Sequence, residues 1–287
     1  MTLFLDLRAT DSGGLPATEV TPRDGFTPLT GSEISARVSG RDVLLGTHGF
    51  NVNRSQGFQH LTDWETLLTL NSNALFVGIL WPGDSRWAPV VDYPFEGGVA
   101  NQSGQLLSPF LNQYFSEASS LSFVSHSLGA RVVLETIRGL DRPVRRLILM
   151  AGAIDDDCLI DEYKDAAAKV GNISISVLAS REDEVLAMAF PVGNLFEGLI
   201  TPGHPFWHAA IGHTGPQRPY PAQLQRNWQI PSNWEYRHGN YLPGSPPESP
   251  AFPPPVDVPP EGTAPFPAPP NDWKTAWSAG FVSTRFA

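Results

Sequence analysis

Short runs of hydrophobic residues recur along the first two thirds of the chain and predict buried β-strands. These runs lie at 43–47, 74–81, 121–125, 144–151 and 173–179. They lack the alternation of polar and apolar residues typical of a half-buried strand, so both faces of the sheet are expected to be covered, as in parallel sheets. A further apolar stretch at residues 3–7 predicts an edge strand, followed by loops to residue 40.

Between these runs, hydrophobic residues recur at helical spacing. Helices are predicted at 57–70, 98–117, 130–140, 157–170 and 185–196, and Pro109 is expected to break or kink the second of them. Strands that alternate with helices indicate βαβ units. The pattern therefore predicts an α/β fold with a mainly parallel, twisted sheet flanked by helices.

The regular pattern fades near residue 200. We predict one α/β domain over residues 1–242, with 186–230 as a cap segment, and a Pro-rich C-terminal tail over 243–287. The proline content of the tail favours polyproline II structure over a packed core. Aromatic residues in 273–287 indicate that the end of the chain docks back on the body.

Composition narrows the function classes. The formal net charge of −10 argues against nucleic-acid binding, which depends on Lys and Arg meeting phosphates. No apolar run is long enough to span a bilayer, and the first residues show no signal-peptide pattern. The chain has one cysteine, Cys158, in an acidic setting that disfavours a reactive thiolate. We therefore expect a cytoplasmic protein without disulfides.

The sequence from Ser125 to Gly129 follows a predicted strand and precedes a predicted helix. A serine between two small residues in this context is typical of a nucleophile elbow, in which the turn exposes the hydroxyl and aims a helix N-terminus at the reacting carbonyl. The pattern alone is common, but its position favours Ser127 as a nucleophile over a purely structural turn.

Two further stretches carry a resemblance to a known family. His48-Gly49-Phe50-Asn51 follows an early strand, and Trp81-Pro82 follows the next. Together with the elbow, they resemble the esterase and lipase side of the α/β-hydrolase superfamily, in particular a bacterial branch whose members are mostly uncharacterised. The resemblance covers about residues 40–240. Ser125 stands where the family usually has the first glycine of the elbow, so some crowding of the turn is expected.

The resemblance implies the chain order serine, acid, histidine. Asp183, after the strand at 173–179, is the acid that best matches the family. The alternatives are its neighbours Glu182 and Glu184 and the cluster Asp155, Asp156 and Asp157. His238 is the histidine that fits best, and His213 is the alternative.

Three histidines, His204, His208 and His213, match no zinc spacing, so no metal is predicted. His126, beside the serine, is expected to be structural. The resemblance also implies that the N–H groups of Phe50 and Leu128 form an oxyanion hole.

An apolar pocket is predicted around Trp81, Phe206 and Trp207, with Trp87 and Phe95 as further candidates. Packing in the core is an equally open interpretation for each of these aromatic residues. The resemblance thus implies a serine esterase that cleaves a small-molecule carboxylic ester and needs no cofactor. Two different functions stay open. The first is a catalytically silent binding module whose tail recruits a partner, and the second is an acyltransferase that uses the same nucleophile.

Overall fold

The computed structural model describes residues 1–12, 14–84, 89–187, 208–244, 257–259 and 267–287, with the backbone alone for 89–96. Within these ranges lies an eight-stranded sheet in the spatial order β3-β2-β1-β5-β4-β6-β7-β8. Its strands are β1 (Leu3–Arg8), β2 (Pro16–Asp24), β3 (Thr27–Pro28), β4 (Asp42–Thr47), β5 (Ala74–Leu80), β6 (Ser120–His126), β7 (Arg146–Met150) and β8 (Ile175–Leu178).

The sheet is parallel from β1 to β8 and antiparallel only where β2 joins β1 and β3. Central strands are buried along almost their whole length, as the apolar runs predicted. The mainly parallel sheet and its flanking helices confirm the predicted α/β-hydrolase fold. The carboxyl ends of β4, β6 and β8 meet at one edge, where such folds place their sites.

The first 40 residues differ from the prediction. β1 lies inside the sheet, between β2 and β5, and is not an edge strand. Residues predicted as loops form β2 and β3, followed by helix α1 (Gly31–Val38), which begins with a capping box between Thr30 and Glu33. β2 is mostly half-buried, with Val20 and Pro22 as its buried residues, so its sequence lacks the continuous apolar run of a buried strand.

The remaining helices are α2 (Arg54–Leu67), α3 (Pro89–Tyr114), α4 (Gly129–Arg138), α5 (Lys164–Ala168), α6 (Ile211–Thr214) and α7 (Lys274–Phe286). Of the break or kink predicted at Pro109, the break is wrong, because α3 continues through it, and the kink stays a prediction. Close packing of α3 on α4 stabilises the long helix. A methyl group on Gly104 would lie 2.8 Å from the Val132 carbonyl oxygen.

The helix predicted at 157–170 is restricted to α5. Residues 156–163 before it form turns, and the first of them, Asp156, bonds through its backbone to another segment. The N–H of Asp156 donates to the Ala209 carbonyl at 2.9 Å, and the N–H of Gln217 donates to the Asp156 carbonyl at 2.8 Å. Of the helix predicted at 185–196, residues 184–187 are helical, and those from 188 on lie outside the described residues.

Apart from residues 186 and 187, the described part of the predicted cap segment begins at residue 208. Leu224 and Gln229 form parallel bridges with Ile175 and Ala179, so this stretch follows the open edge of β8. The cap itself stays a prediction, since 188–207 lie outside the described residues.

The C-terminal helix α7 packs on the body of the protein, as the aromatic residues of this segment indicated. Ala279 and Val282 have no exposed surface, and the helix contacts α2 and β7. Among the described helices, none has the length and apolarity needed to cross a bilayer.

Candidate active site

Ser127 occupies the sharp turn between β6 and α4. Its φ is 54°, a left-handed conformation that costs free energy in a residue other than glycine. Three backbone hydrogen bonds hold it there. Its N–H donates to the Met150 carbonyl at 3.0 Å, and its own carbonyl accepts from Ala130 and Ala153, each at 3.1 Å. The strained turn is thus held by the neighbouring strand and by the first turn of α4.

The elbow lies so close to the loop after β4 that only glycine fits at two positions. A methyl group on Gly129 would lie 2.5 Å from the His48 carbonyl oxygen, and one on Gly49 would lie 2.8 Å from Cβ of Ser127. Ser125, in the place of the usual first glycine, is fully buried and accommodated at the end of β6. Its hydroxyl has no hydrogen-bond partner in the described part of the chain.

A single imidazole joins Ser127 to a buried carboxylate. His238 Nδ1 lies 2.8 Å from Asp183 Oδ2, and Nε2 of the same ring lies 2.9 Å from Ser127 Oγ. Since a carboxylate accepts, Nδ1 carries the proton and Nε2 is left to accept from the serine hydroxyl. The structure therefore brings together the three residues predicted as nucleophile, base and acid.

Asp183 follows β8 and has no exposed surface. Its second oxygen, Oδ1, accepts the N–H of Leu186 at 3.1 Å, so the carboxylate also caps the helical turn that follows. Both oxygens of the buried carboxylate thus have a donor, as a buried charge requires. Of its two acidic neighbours, which the sequence also offered as the acid, Glu184 is exposed and Glu182 is half-buried.

His213 and the aspartate cluster make contacts of a different kind. His213 Nδ1 donates to the Ser180 carbonyl at 3.2 Å. Within the aspartate cluster, Asp156 Oδ1 lies 3.2 Å from His208 Nδ1, and Asp157 Oδ2 lies 3.6 Å from His208 Nε2. The cluster thus contacts His208, whereas Asp183 contacts the histidine beside the serine.

These three side chains, Asp156, Asp157 and His208, also have ligand atoms within 4.8 Å of one another, as a cation would require. His208 accounts for the closeness of the two carboxylates without a metal, because each of its ring nitrogens faces a different one. Desolvation opposes protonation of His208, but the hydrogen bond to Asp156 and the charges of Asp157 and Asp155 outweigh it and raise its pKa. We interpret the group as an ion-paired histidine that ties residue 208 to the body.

The loop after β4 carries Phe50, and Leu128 is the N-cap residue of α4. The backbone before Phe50 is held by two side chains. His48 Nδ1 donates to the Gly49 carbonyl at 2.8 Å, and Trp81 Nε1 donates to the His48 carbonyl at 2.9 Å. Burial lowers the pKa of His48 to about 3, so its ring is neutral. The loop facing the elbow therefore has a defined backbone.

For Trp81, the sequence offered a substrate contact or core packing, and the structure places its side chain in the core. The side chain has no exposed surface, and its ring stacks on His48 at 5.8 Å between centroids. The side chain supports the loop from its buried side, because the indole N–H donates to the His48 carbonyl of that loop. The remaining predicted pocket residues, Phe206 and Trp207, lie outside the described residues, as do Trp87 and the side chain of Phe95.

Two further residues support the site: His126, which the sequence predicts to be structural, and Arg8, which sequence reasoning missed. His126 Nε2 donates to the His238 carbonyl at 2.9 Å; burial and the nearby His238 lower its pKa to about 3. Arg8 is buried at the end of β1, forms an ion pair with Asp84, and donates to the Trp81 carbonyl at 2.9 Å. Adjacency to the serine is a signal for His126. The sequence carries no such signal for Arg8, which lies far from the motifs.

Comparison with known proteins identifies the family. No curated protein matches the sequence. A family model described as an alpha/beta hydrolase of unknown function (DUF900) matches residues 31–199, more than half of the 287 residues. The matched range contains Ser127 and Asp183, whereas His238 follows it. The chain therefore belongs to this family of α/β hydrolases.

Proposed function

We propose that the protein is a serine esterase that hydrolyses carboxylic esters through an acyl-enzyme on Ser127. One observation carries the proposal: the His238 imidazole lies within hydrogen-bonding distance of both the Ser127 hydroxyl and the Asp183 carboxylate. A serine hydroxyl is a weak nucleophile at neutral pH and needs a base, which in turn needs an orienting group. The arrangement supplies both.

In the acylation step, Ser127 Oγ attacks the ester carbonyl while its proton moves to Nε2 of His238. The imidazolium that forms keeps its Nδ1–H on Asp183, whose buried negative charge stabilises it. The tetrahedral intermediate then collapses, and Nε2 gives its proton to the departing alcohol. The products of this half-reaction are the alcohol and an ester of Ser127.

The negative charge on the carbonyl oxygen needs donors that are already in place. The N–H of Leu128 is a suitable donor, because it lies at the N-terminus of α4, where the helix dipole favours negative charge. The N–H of Phe50, from the loop opposite, is the second proposed donor. The hydrogen bonds from His48 and Trp81 support this role, because they fix the backbone just before Phe50.

Deacylation repeats the chemistry with water. Nε2 of His238 takes a proton from water, the hydroxide attacks the acyl carbon, and Ser127 leaves with that proton. Carboxylic acid is released and the resting state returns. Each proton moves between named atoms, so the cycle needs only the residues of the chain and water.

The test is covalent labelling with a fluorophosphonate probe, together with hydrolysis of a short p-nitrophenyl ester. We expect both in the wild type and neither in Ser127→Ala. Ser122→Ala is the matched control, because Ser122 lies on the same strand and its buried hydroxyl has no partner among the described residues. This control is expected to label and turn over like the wild type.

Failure to label a folded wild-type protein would contradict the proposal and favour a catalytically silent binding module. Labelling that persists in Ser127→Ala would assign the nucleophile to another residue. Turnover that rises strongly with added alcohol, with transfer of the acyl group to it, would identify an acyltransferase that uses the same serine.

A further inference from the structure

The segment that carries His238 has little regular structure of its own. It contains two short 3₁₀ turns, Ser232–Trp234 and His238–Asn240. Between them, Glu235 has a φ of 47°, a left-handed conformation that is strained for this residue type. Such backbone keeps its shape only where its surroundings hold it. The contacts of this segment therefore determine where the His238 imidazole lies.

The C-terminal helix α7 supplies contacts at the strained point. Tyr236 is fully buried, and its hydroxyl hydrogen-bonds with the Lys274 carbonyl and the Ser278 hydroxyl, both in α7. From the helix side, Lys274 Nζ donates to the Glu235 carbonyl at 2.9 Å. Two consecutive residues of the segment are thus attached to one end of the helix.

Aromatic packing extends the same contact. The Trp277 ring of α7 lies nearly perpendicular to that of Trp234, with 5.1 Å between centroids, and packs edge-on against Tyr236 at 5.7 Å. Perpendicular pairs of this kind are favoured because the positive ring edge meets the negative face. The helix therefore contacts the segment through side chains on both sides of Glu235.

A chain of packed rings continues from Tyr236 to the proposed base. Tyr236 packs edge-on against Tyr241 at 4.9 Å, and Tyr241 packs against His126 at 5.8 Å. His126 in turn donates from Nε2 to the His238 carbonyl at 2.9 Å, and its ring lies 4.9 Å from the His238 ring. The helix and the imidazole are thus connected by contiguous contacts.

We infer that α7 positions the base of the active site, and that Tyr236 is the positioning residue through which it acts. The inference rests on the proposed function of His238. Tyr236 has no exposed surface with which to contact a substrate, so its effect is on alignment. Both α7 and Tyr236 follow residues 31–199, so the family match does not assign them this role.

Tyr236→Phe keeps the ring and removes the hydroxyl. The turn at Glu235 then loses an attachment, and the imidazole spends less time aligned with Ser127. A misplacement of about 1 Å can reduce turnover by about 100-fold, so we expect kcat to fall by about 10- to 100-fold with KM within about twofold. The rate of fluorophosphonate labelling falls by the same factor, because it also requires His238.

Ser283→Ala is the matched control. It removes a hydroxyl from the same helix, where Ser283 Oγ accepts the N–H of Thr69 at 2.9 Å, on the side that faces α2. Ser278→Ala tests the attachment from the helix side. We expect the control to keep the wild-type kcat and Ser278→Ala to lower it less than Tyr236→Phe does, because the Lys274 carbonyl remains.

All variants are compared well below their unfolding temperatures, so that loss of folded protein does not contribute. A second readout needs no turnover: solvent exchange of the His238 Nδ1 proton, followed by NMR, is expected to accelerate in Tyr236→Phe and not in Ser283→Ala. If Tyr236→Phe fails to fold, Ser278→Ala provides the same comparison.

A lower Tm with wild-type kcat and proton exchange would overturn the inference and leave Tyr236 a purely structural residue. Equal losses in Tyr236→Phe and Ser283→Ala would also overturn it, since any loosening of the helix would then have the same effect. A wild type that neither labels nor hydrolyses esters would contradict the proposed function instead, while proton exchange would still decide the positioning.

Discussion

Gly129→Ala tests the close approach between the elbow and the loop after β4. The added methyl group would lie 2.5 Å from the His48 carbonyl oxygen and 2.7 Å from Cγ2 of Thr47. Such contacts below 3.0 Å essentially do not occur, so the loop must retreat by about 0.5 Å or more. That carbonyl also accepts from Trp81 Nε1, and Phe50 follows two residues later. The displacement therefore moves a proposed oxyanion donor.

The expected magnitude follows from that movement. Overpacking of a tight site costs about 1–3 kcal/mol of unfolding free energy. Loss of one oxyanion donor reduces kcat by about 10²–10³-fold, and a partial displacement should give about 10²-fold or somewhat less. Substrate binding in the ground state changes little, so KM is expected to stay within a few fold.

The assay compares kcat for a p-nitrophenyl ester with thermal unfolding. Gly98→Ala in α3 is the control, because a methyl group there meets no atom within 4 Å. Alanine is the better helix former by about 0.5–1 kcal/mol, so this control should be more stable and equally active. Near wild-type kcat in Gly129→Ala would refute the reasoning, since the loop position would then not matter to the reaction.

Three further predictions concern single side chains. Asp183→Asn is expected to lower kcat by about 10⁴-fold while the protein stays folded. The reason is that an amide does not hold His238 in the tautomer that accepts a hydrogen bond from the serine. A kcat within tenfold of wild type would contradict this prediction. His208→Gln is expected to lower Tm more at pH 5.5 than at pH 8.5. Folding raises the pKa of His208, so its ion pair with Asp156 stabilises the folded protein fully below the unfolded pKa of about 6.5. This stabilisation is lost as the pH rises through the folded pKa. Equal decreases in Tm at both pH values would argue against the ion pair. Trp81→Phe removes the indole donor to the loop and is expected to lower kcat by about tenfold, with binding of substrate unchanged; a change in KM alone would instead restore Trp81 as a substrate contact.

The elbow could be predicted from sequence because its requirements are local. A residue at a sharp turn between strand and helix needs small neighbours. Gly129 illustrates the reason, because it lies against the backbone of the loop after β4, where a methyl group would not fit. The sheet could also be predicted, because strands such as β4 and β6 are buried on both faces and so are continuous apolar runs.

Several elements were missed because their stability comes from partners distant in sequence. The mostly half-buried strand β2 forms by pairing with β1, so its own residues carry little hydrophobic pattern. Asp156, in the turn just before the predicted helix at 157–170, bonds through its backbone to Ala209 and Gln217, and no local pattern indicates these partners. Local propensity does not include such long-range hydrogen bonds.

The sequence by itself determined the fold class, the position of Ser127, and Asp183 and His238 as the first choices for its partners. Only the tertiary structure decided that these side chains meet, that the cluster around Asp156 pairs with His208, and that Trp81 lies behind the loop. The physical reason is distance along the chain. Hydrophobic periodicity and turn chemistry act within a few residues, whereas a hydrogen bond between residues 127 and 238 exists only once the sheet and its loops have assembled.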